Sequence, residues 1–286
     1  MRQSPRLEFI PIDDPADPRL EDYRHIRDRD LKGESGRPGL FMGEQAKTVA
    51  KMLAIPGMTK SIMTTAAHVD EIGRAAAAPS QPPAAAPVPV YVVSPAAIER
   101  VAGFPIHRGV IAVGHRPPAS ERTLDHVVPR GRDHLTLLLC EDITNIDNIG
   151  LLFRNAAAFG VDAVILSPRC HDPLYRKSVR VSIGHVLTTP WARSTDWLGD
   201  LQRLRREWGV TLIAAATGGQ ARSIDAINAP RRVGLIVGSE QSGLTPQTIA
   251  ACDDAARIPM APGVDSLNVG VAAAVCLHRF SRGARV

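Results

Sequence analysis

The sequence predicts an α/β protein in two parts, a small α/β domain followed by a larger one built on a mostly parallel sheet. Three observations carry this. Apolar runs of strand length recur at Leu135–Cys140, Val161–Leu166, Val210–Ala215 and Val233–Val237, continuous as in strands covered on both faces. Stretches of helical periodicity separate them, which is the pattern of a doubly wound sheet. A segment rich in proline, charge and turn formers, HRPPASERTLDHVVPRGRD over 115–133, divides this regular half from a less regular one before it.

With 286 residues, 44% of them hydrophobic, the chain has enough apolar surface for two cores and is no disordered polymer. It lacks the run of about 18 uncharged apolar residues that a membrane-spanning helix needs. Its first twenty residues lack the apolar stretch of a secretory signal. A soluble cytoplasmic protein is expected. The net charge of +5 suits a polyanionic partner and equally a mildly basic enzyme, since cationic and anionic side chains are spread along the whole chain. Cys140, Cys170, Cys252 and Cys276 form no C-x-x-C pair, and the histidines no H-E-x-x-H, so no metal site is expected. Cys140 and Cys276 sit in apolar runs and read as small core residues.

In chain order, a helix is expected over Gln45–Ala54, with Ala46, Val49 and Leu53 on one face. Strands follow at Ser61–Thr64, Val90–Val93 and Arg108–Gly114, with a helix over Pro95–Val101. Five prolines over 78–89 predict a surface loop. The expected organisation is an N-terminal extension over 1–40, a small α/β domain over 41–115, a linker over 116–133 and the larger domain over 134–286. In the larger domain, Asn148–Phe159 reads as a helix stopped by Gly160, burying Ile149, Leu152, Phe153 and Ala156. Further helices are expected at 174–183, 195–207, 245–251 and 266–279. Pro246 occupies a tolerated first-turn position, and Ser266 is a natural N-cap.

Ligands of parallel α/β sheets bind at the carboxyl ends of strands, so the junction loops are the places to look. The first runs from Asp142 to Gly150 and leads to Arg154. Asn148 and Arg154 are six apart and share no helical face, so both reach a site only if Asn148 belongs to the loop; otherwise Asn148 caps the helix and Arg154 is solvated. The second, Val237–Gly243, has glycines at phosphate-loop spacing, but Leu244-Thr245 replaces the Lys-Ser/Thr that reaches phosphate and Mg²⁺. It offers a backbone-exposing turn with one carboxylate, Glu240, and reads equally as a plain turn. The third runs from Ile258 to Ala274; helix capping and close packing explain Ser266 and the alanines but leave Asn268 unexplained. Neither G-x-S-x-G nor G-x-G-x-x-G occurs.

Taken together and in this order, N-x-G-x-x-x-R-x-A-x-x-F-G (Asn148–Gly160), V-G-S-E-x-x-G-L (Val237–Leu244) and I-P-M-x-x-G-x-x-S-L-N-V (Ile258–Val269) resemble the three signature motifs of the SpoU/TrmH family. That family comprises S-adenosylmethionine-dependent RNA ribose 2′-O-methyltransferases of the SPOUT class, and the likeness spans residues 133–286. The block over 41–114, with His107-Arg108-Gly109, resembles the ribosomal-protein-like RNA-binding domain of many relatives. The resemblance implies a C-terminal trefoil knot, a homodimer with a shared active site, and rRNA or tRNA as substrate. It implies cofactor contacts, mostly through backbone, at Thr217, Gly218, Gly238, Ile258 and Leu267. Arg154, Asn148, Glu240, Ser266 and Asn268 match catalytic-site positions. Arg154 suits stabilisation of a nascent alkoxide better than base catalysis, because a guanidinium stays protonated. Glu240 reads as a structural or dimer-contact carboxylate rather than a base. Arg176, Lys177 and Arg180, with Arg108, suit RNA phosphates. Relatives commonly carry Ser after S-L-N-V, where this chain has Gly270. The alternative is a non-catalytic RNA-binding or ribosome-assembly protein that keeps the fold.

Overall fold

The computed structural model describes residues 7–24, 39–77, 86–103, 106, 109–218, 221–239 and 241–281. Two compact units emerge. One holds the chain up to Pro117 together with Leu174–Thr188; the other holds Pro118–Pro173 and the chain from Thr189 onward.

The first unit contains β1 (Leu7–Pro11), β2 (Leu40–Glu44), α1 (Ala46–Leu53), β3 (Thr59–Thr65), α2 (Val69–Ala76), β4 (Val88–Val93), α3 (Pro95–Ala102) and β5 (Val110–His115). Its sheet runs β1-β4-β3-β5-β2, parallel across β1, β4 and β3 and antiparallel at β5 and β2. The expected helices and strands are present, with ends shifted by a few residues. The Ser94 hydroxyl accepts from Ala97 N–H at 3.2 Å and Pro95 occupies the first turn, so α3 starts where its sequence directs. Of the Pro-rich segment, residues 78–85 lie outside the described residues, as does Arg108.

Residues 7–24 are not a separate extension. β1 adds to β4 in parallel register, and Leu20 and Tyr23 are fully buried, with Tyr23 Oη 2.6 Å from Ser61 Oγ. Prolines and carboxylates masked this stretch in the sequence, because its burial comes from a sheet edge far along the chain.

The second unit contains α4 (Leu124–Val127), β6 (Leu135–Cys140), α5 (Ile146–Ala158) and β7 (Ala163–Leu166). The chain then contributes α6 (Arg176–Val181) and α7 (His185–Thr188) to the first unit, and returns as β8 (Trp191–Arg193), α8 (Trp197–Trp208), β9 (Thr211–Ala215), β10 (Arg222–Ser223), β11 (Arg232–Val237), α9 (Pro246–Ala251), β12 (Asp254–Arg257) and α10 (Val269–Phe280). The expectation of one uninterrupted domain over 134–286 is therefore corrected. In the first unit, Arg176 pairs with Glu44 at 2.7 Å and Lys51 Nζ donates to Ile183 O at 2.7 Å. The supposed linker over 116–133 is corrected too, since Leu124 and Val128 are buried in the second unit's core.

The second sheet is parallel throughout, in the order β10-β12-β9-β11-β6-β7-β8. Alternation splits its side chains between two layers. Leu137, Leu139, Ile165, Leu212 and Ile236 cluster with Leu201, Leu204 and Trp208 of α8. On the opposite face α5 and α10 pack together, and α10 also meets β11. Because the strands are parallel, the loops after β6, β9, β11 and β12 all leave from one edge. No helix among the described residues is long and apolar enough to cross a membrane.

Candidate active site

β6 ends at Cys140, beside Val237 of β11, so the first and second motif loops start next to each other. Asn145, rather than Asn148, caps α5: its side chain accepts from Asp147 N–H at 2.9 Å. Asn148 lies in the first helical turn, 5% exposed, and its Oδ1 accepts from Asn268 Nδ2 at 3.0 Å. Asn268, rather than Ser266, caps α10, accepting from Gly270 N–H at 2.9 Å. Both corrections have one cause: a cap is chosen by where the backbone turns, and each helix begins at a residue other than the one its sequence favoured. Arg154 sits about 120° around α5 from Asn148. It is exposed and pairs with no acceptor among the described residues. The structure thus joins Asn148 to Asn268 and leaves Arg154 exposed, with no partner among the described residues. Ser266 is exposed on the loop ahead of α10.

Gly270 has a packing reason. A Cβ there would lie 2.3 Å from Leu151 Cδ2 and 2.6 Å from its Cγ, while Gly270 O accepts from Asn155 Nδ2 at 2.7 Å. Asn148, Leu151 and Asn155 form one stripe of α5 that meets the start of α10. Gly270→Ala is expected to cost about 1–3 kcal/mol. The cost should shrink toward zero in a Leu151→Ala background, as thermal melts of the four proteins in a double-mutant cycle will reveal.

An open cavity lies at the strand ends. Ala215, at the end of β9, walls it with Ala216 and Thr217 just beyond, as do Ile258, Met260 and Leu267 from the third loop and Ala272 and Cys276 from α10. Thr217, Ile258 and Leu267, all expected cofactor contacts, meet here. Burial pushes the Cys276 thiol up to about 12, so it lines the cavity as a neutral group. Gly218 faces a larger opening that shares Ala215–Thr217 and is bounded by Ser242–Leu244. Gly238 lines neither. It permits the turn itself, since a Cβ would lie 2.3 Å from the Gly243 carbonyl carbon. Ser239 Oγ accepts from Ser242 N–H at 3.3 Å, and Gly243 N–H donates to Ser239 O at 2.9 Å, closing that turn. Glu240 lies outside the described residues.

The basic residues Arg176, Lys177 and Arg180 belong to the first unit. Arg176 and Arg180 share a face, as their spacing predicts, and both reach Glu44, at 2.7 and 3.6 Å. Lys177 is exposed.

Two groups escaped the sequence reading. Glu141 is 4% exposed, and its carboxylate accepts from Thr245 and Thr248. Arg193 donates to the carbonyls of Ser167, Pro168, Cys170 and His171, shaping the turn after β7. Neither has a local signature, because their partners are brought by strand order. Among the described residues no cluster of His, Cys, Asp and Glu could hold a metal ion.

Comparison with known proteins places this geometry. The pattern of the SpoU rRNA Methylase family matches residues 135–278. The chain is 38% identical, over 279 residues, to an uncharacterized tRNA/rRNA methyltransferase of Mycobacterium bovis, a match covering 96% of this chain and 93% of that protein. It is 30% identical to the 23S rRNA (guanosine-2′-O-)-methyltransferase of Acinetobacter baylyi, over 68% of this chain and 79% of the relative. In fold it is similar to the AdoMet-bound rRNA methyltransferase from Sinorhizobium meliloti, with a TM-score of 0.72 at 21% identity, covering 95% of this chain and 97% of the other.

Proposed function

The chain belongs to the SpoU rRNA Methylase family, and from that premise we propose that it transfers the methyl group of S-adenosylmethionine to a ribose 2′-hydroxyl of rRNA or tRNA. The observation that carries this reading is the cavity at the carboxyl ends of the parallel strands, where Thr217, Ile258 and Leu267 meet. Its walls are alanines and the apolar side chains of Ile258, Met260 and Leu267, with the Thr217 hydroxyl and the Cys276 thiol, so backbone N–H and C=O groups supply most of the polar contacts available to a nucleoside-like ligand. These residues fit the cofactor.

When bound, S-adenosylmethionine supplies a methyl group already activated on a sulfonium. The protein's part is to bind, to align and to stabilise charge. Thr217, Ile258 and Leu267 hold the cofactor, Gly218 lets backbone approach it, and Gly238 permits the tight turn of the second motif loop. Asn268 ties the third loop to α5 through Asn148. Ser266, exposed beside Leu267, orients the ribose. The Arg154 guanidinium clamps a neighbouring phosphate and stabilises the negative charge that develops on the attacking oxygen.

The closing loops are proposed to thread as a trefoil knot. The chain path supports this, since after β11 it passes β9 to reach β12 and then returns to α5 as α10. A homodimer is supported by the apolar side chains left exposed at Val264, Leu267, Val271 and Val275. The first unit serves as the RNA-recognition domain, with Arg176, Lys177 and Arg180 on α6 among its basic residues.

The test is transfer of labelled methyl from S-adenosylmethionine to RNA from cells lacking this chain, followed by mapping of alkali-resistant 2′-O-methyl linkages. Labelling at a discrete nucleotide, by protein sedimenting as a dimer, is the expected result. Cofactor binding with no transfer to any cellular RNA would favour the non-catalytic RNA-binding alternative.

A further inference from the structure

The turn from Gly238 to Leu244 enters from Val237 and leaves into Thr245, and both ends are fastened to one residue. The Glu141 N–H donates to Val237 O at 2.9 Å, continuing the β6–β11 ladder by one step. The carboxylate of the same residue reaches the far end. Oε2 accepts from Thr245 N–H at 2.9 Å, and Oε1 accepts from Thr245 Oγ1 at 2.9 Å. Thr248 Oγ1 donates to Oε1 at 2.6 Å, and itself accepts from Trp197 Nε1 at 3.0 Å.

This arrangement exceeds what holding α9 requires. The helix already has its own cap, because Thr245 Oγ1 accepts from Thr248 N–H at 3.2 Å. Glu141 acts on the capping residue, at the point where the turn ends. Placing a carboxylate where it is 4% exposed is costly, and a buried charge is weak evidence of stabilisation. What the charge provides is a short tie of fixed geometry, since hydrogen bonds to an ionised acceptor are stronger and more directional than neutral ones.

We propose that Glu141 is a positioning residue for the methyl donor: by tying Val237 to Thr245 it sets the distance between the ends of the second motif loop. The backbone groups of Ser242, Gly243 and Leu244, which border the larger opening, are thereby held ready for the ligand. The inference rests on the reading of this loop as part of the S-adenosylmethionine site.

The experiment is titration calorimetry of the full chain with S-adenosylmethionine, well below the melting temperature of every variant. Glu141→Gln keeps size and one acceptor but turns an amide N–H₂ toward a donor. Thr245→Val removes a hydroxyl at constant shape, and Thr245→Ser keeps both donors. Leu204→Ala, a core substitution within α8, serves as a control that lowers thermal stability without removing a hydrogen-bonding group of the tie. The expected result is that Glu141→Gln and Thr245→Val each weaken binding by about tenfold, the worth of one charge-assisted hydrogen bond. Thr245→Ser and Leu204→Ala should bind like the wild type. Should Glu141→Gln fail to fold, Thr245→Val carries the comparison. Wild-type affinity in Glu141→Gln and Thr245→Val overturns the tie alone, as does an equal loss in Leu204→Ala, which would mark a general effect of stability. A wild-type protein that does not bind the donor overturns the cofactor reading and the tie with it.

Discussion

Arg154→Ala is expected to lower methyl transfer by at least about a hundredfold, the usual consequence of removing one preorganised donor from a developing oxyanion. Affinity for S-adenosylmethionine should not change, because Arg154 is absent from the walls of the cavity. Stability should move by no more than about 0.5 kcal/mol, since the side chain is exposed and pairs with nothing among the described residues. Arg154→Lys separates the two parts of the assignment. It keeps the charge and loses the planar fork, so partial activity is expected if the guanidinium both clamps a phosphate and stabilises the alkoxide. Rate measurements on saturating RNA, beside calorimetry on each variant, are the check. Wild-type turnover in Arg154→Ala would remove Arg154 from the mechanism.

Gly238→Ala should be the most damaging small substitution for cofactor binding. The added Cβ would stand 2.3 Å from the Gly243 carbonyl carbon and 2.5 Å from both Gly243 O and Leu244 N. All three are backbone atoms, so no rotamer change relieves the clash and the turn itself must open. Overpacking of this kind costs about 1–3 kcal/mol, which corresponds to a loss of affinity between about fivefold and a hundredfold if it falls on the loop. Gly218→Ala is the internal comparison. No protein atom lies within 4 Å of a Cβ at that position, so the fold should be undisturbed and any loss of affinity reports contact between the added methyl group and the donor. Calorimetry and thermal melts on the pair decide the matter: Gly238→Ala should lose both affinity and stability, Gly218→Ala should keep its stability, and no loss of affinity in Gly238→Ala would mean that the tight turn is not used for binding.

Much of the second unit was legible beforehand. β6, β7, β9 and β11 are continuous apolar runs, and the third motif loop lines the cavity together with the residues that follow β9. Thr217, Ile258 and Leu267 were reachable from motif positions and do meet. β10 and β12 were missed, because Arg222-Ser223 and Asp254–Arg257 carry no apolar run and exist only through the strands beside them. β8 was missed for its brevity. The helix starts were misplaced by a few residues, since Asn145 and Asn148, like Ser266 and Asn268, are all competent caps and only the backbone path selects one of each pair.

The sequence by itself determined what neighbouring residues can encode: periodicity of strand and helix, competent capping residues, turn glycines, and the order of the motif loops. The tertiary structure decided which distant residues touch. Asn148 meets Asn268 across 120 positions, Glu141 meets Thr245 across 104, and Leu174–Thr188 leaves one core to join another. The physical reason is the range of the forces. Propensity and capping act within a turn or two of backbone, whereas a hydrogen bond between remote side chains forms only after strand order and helix packing have set their separation.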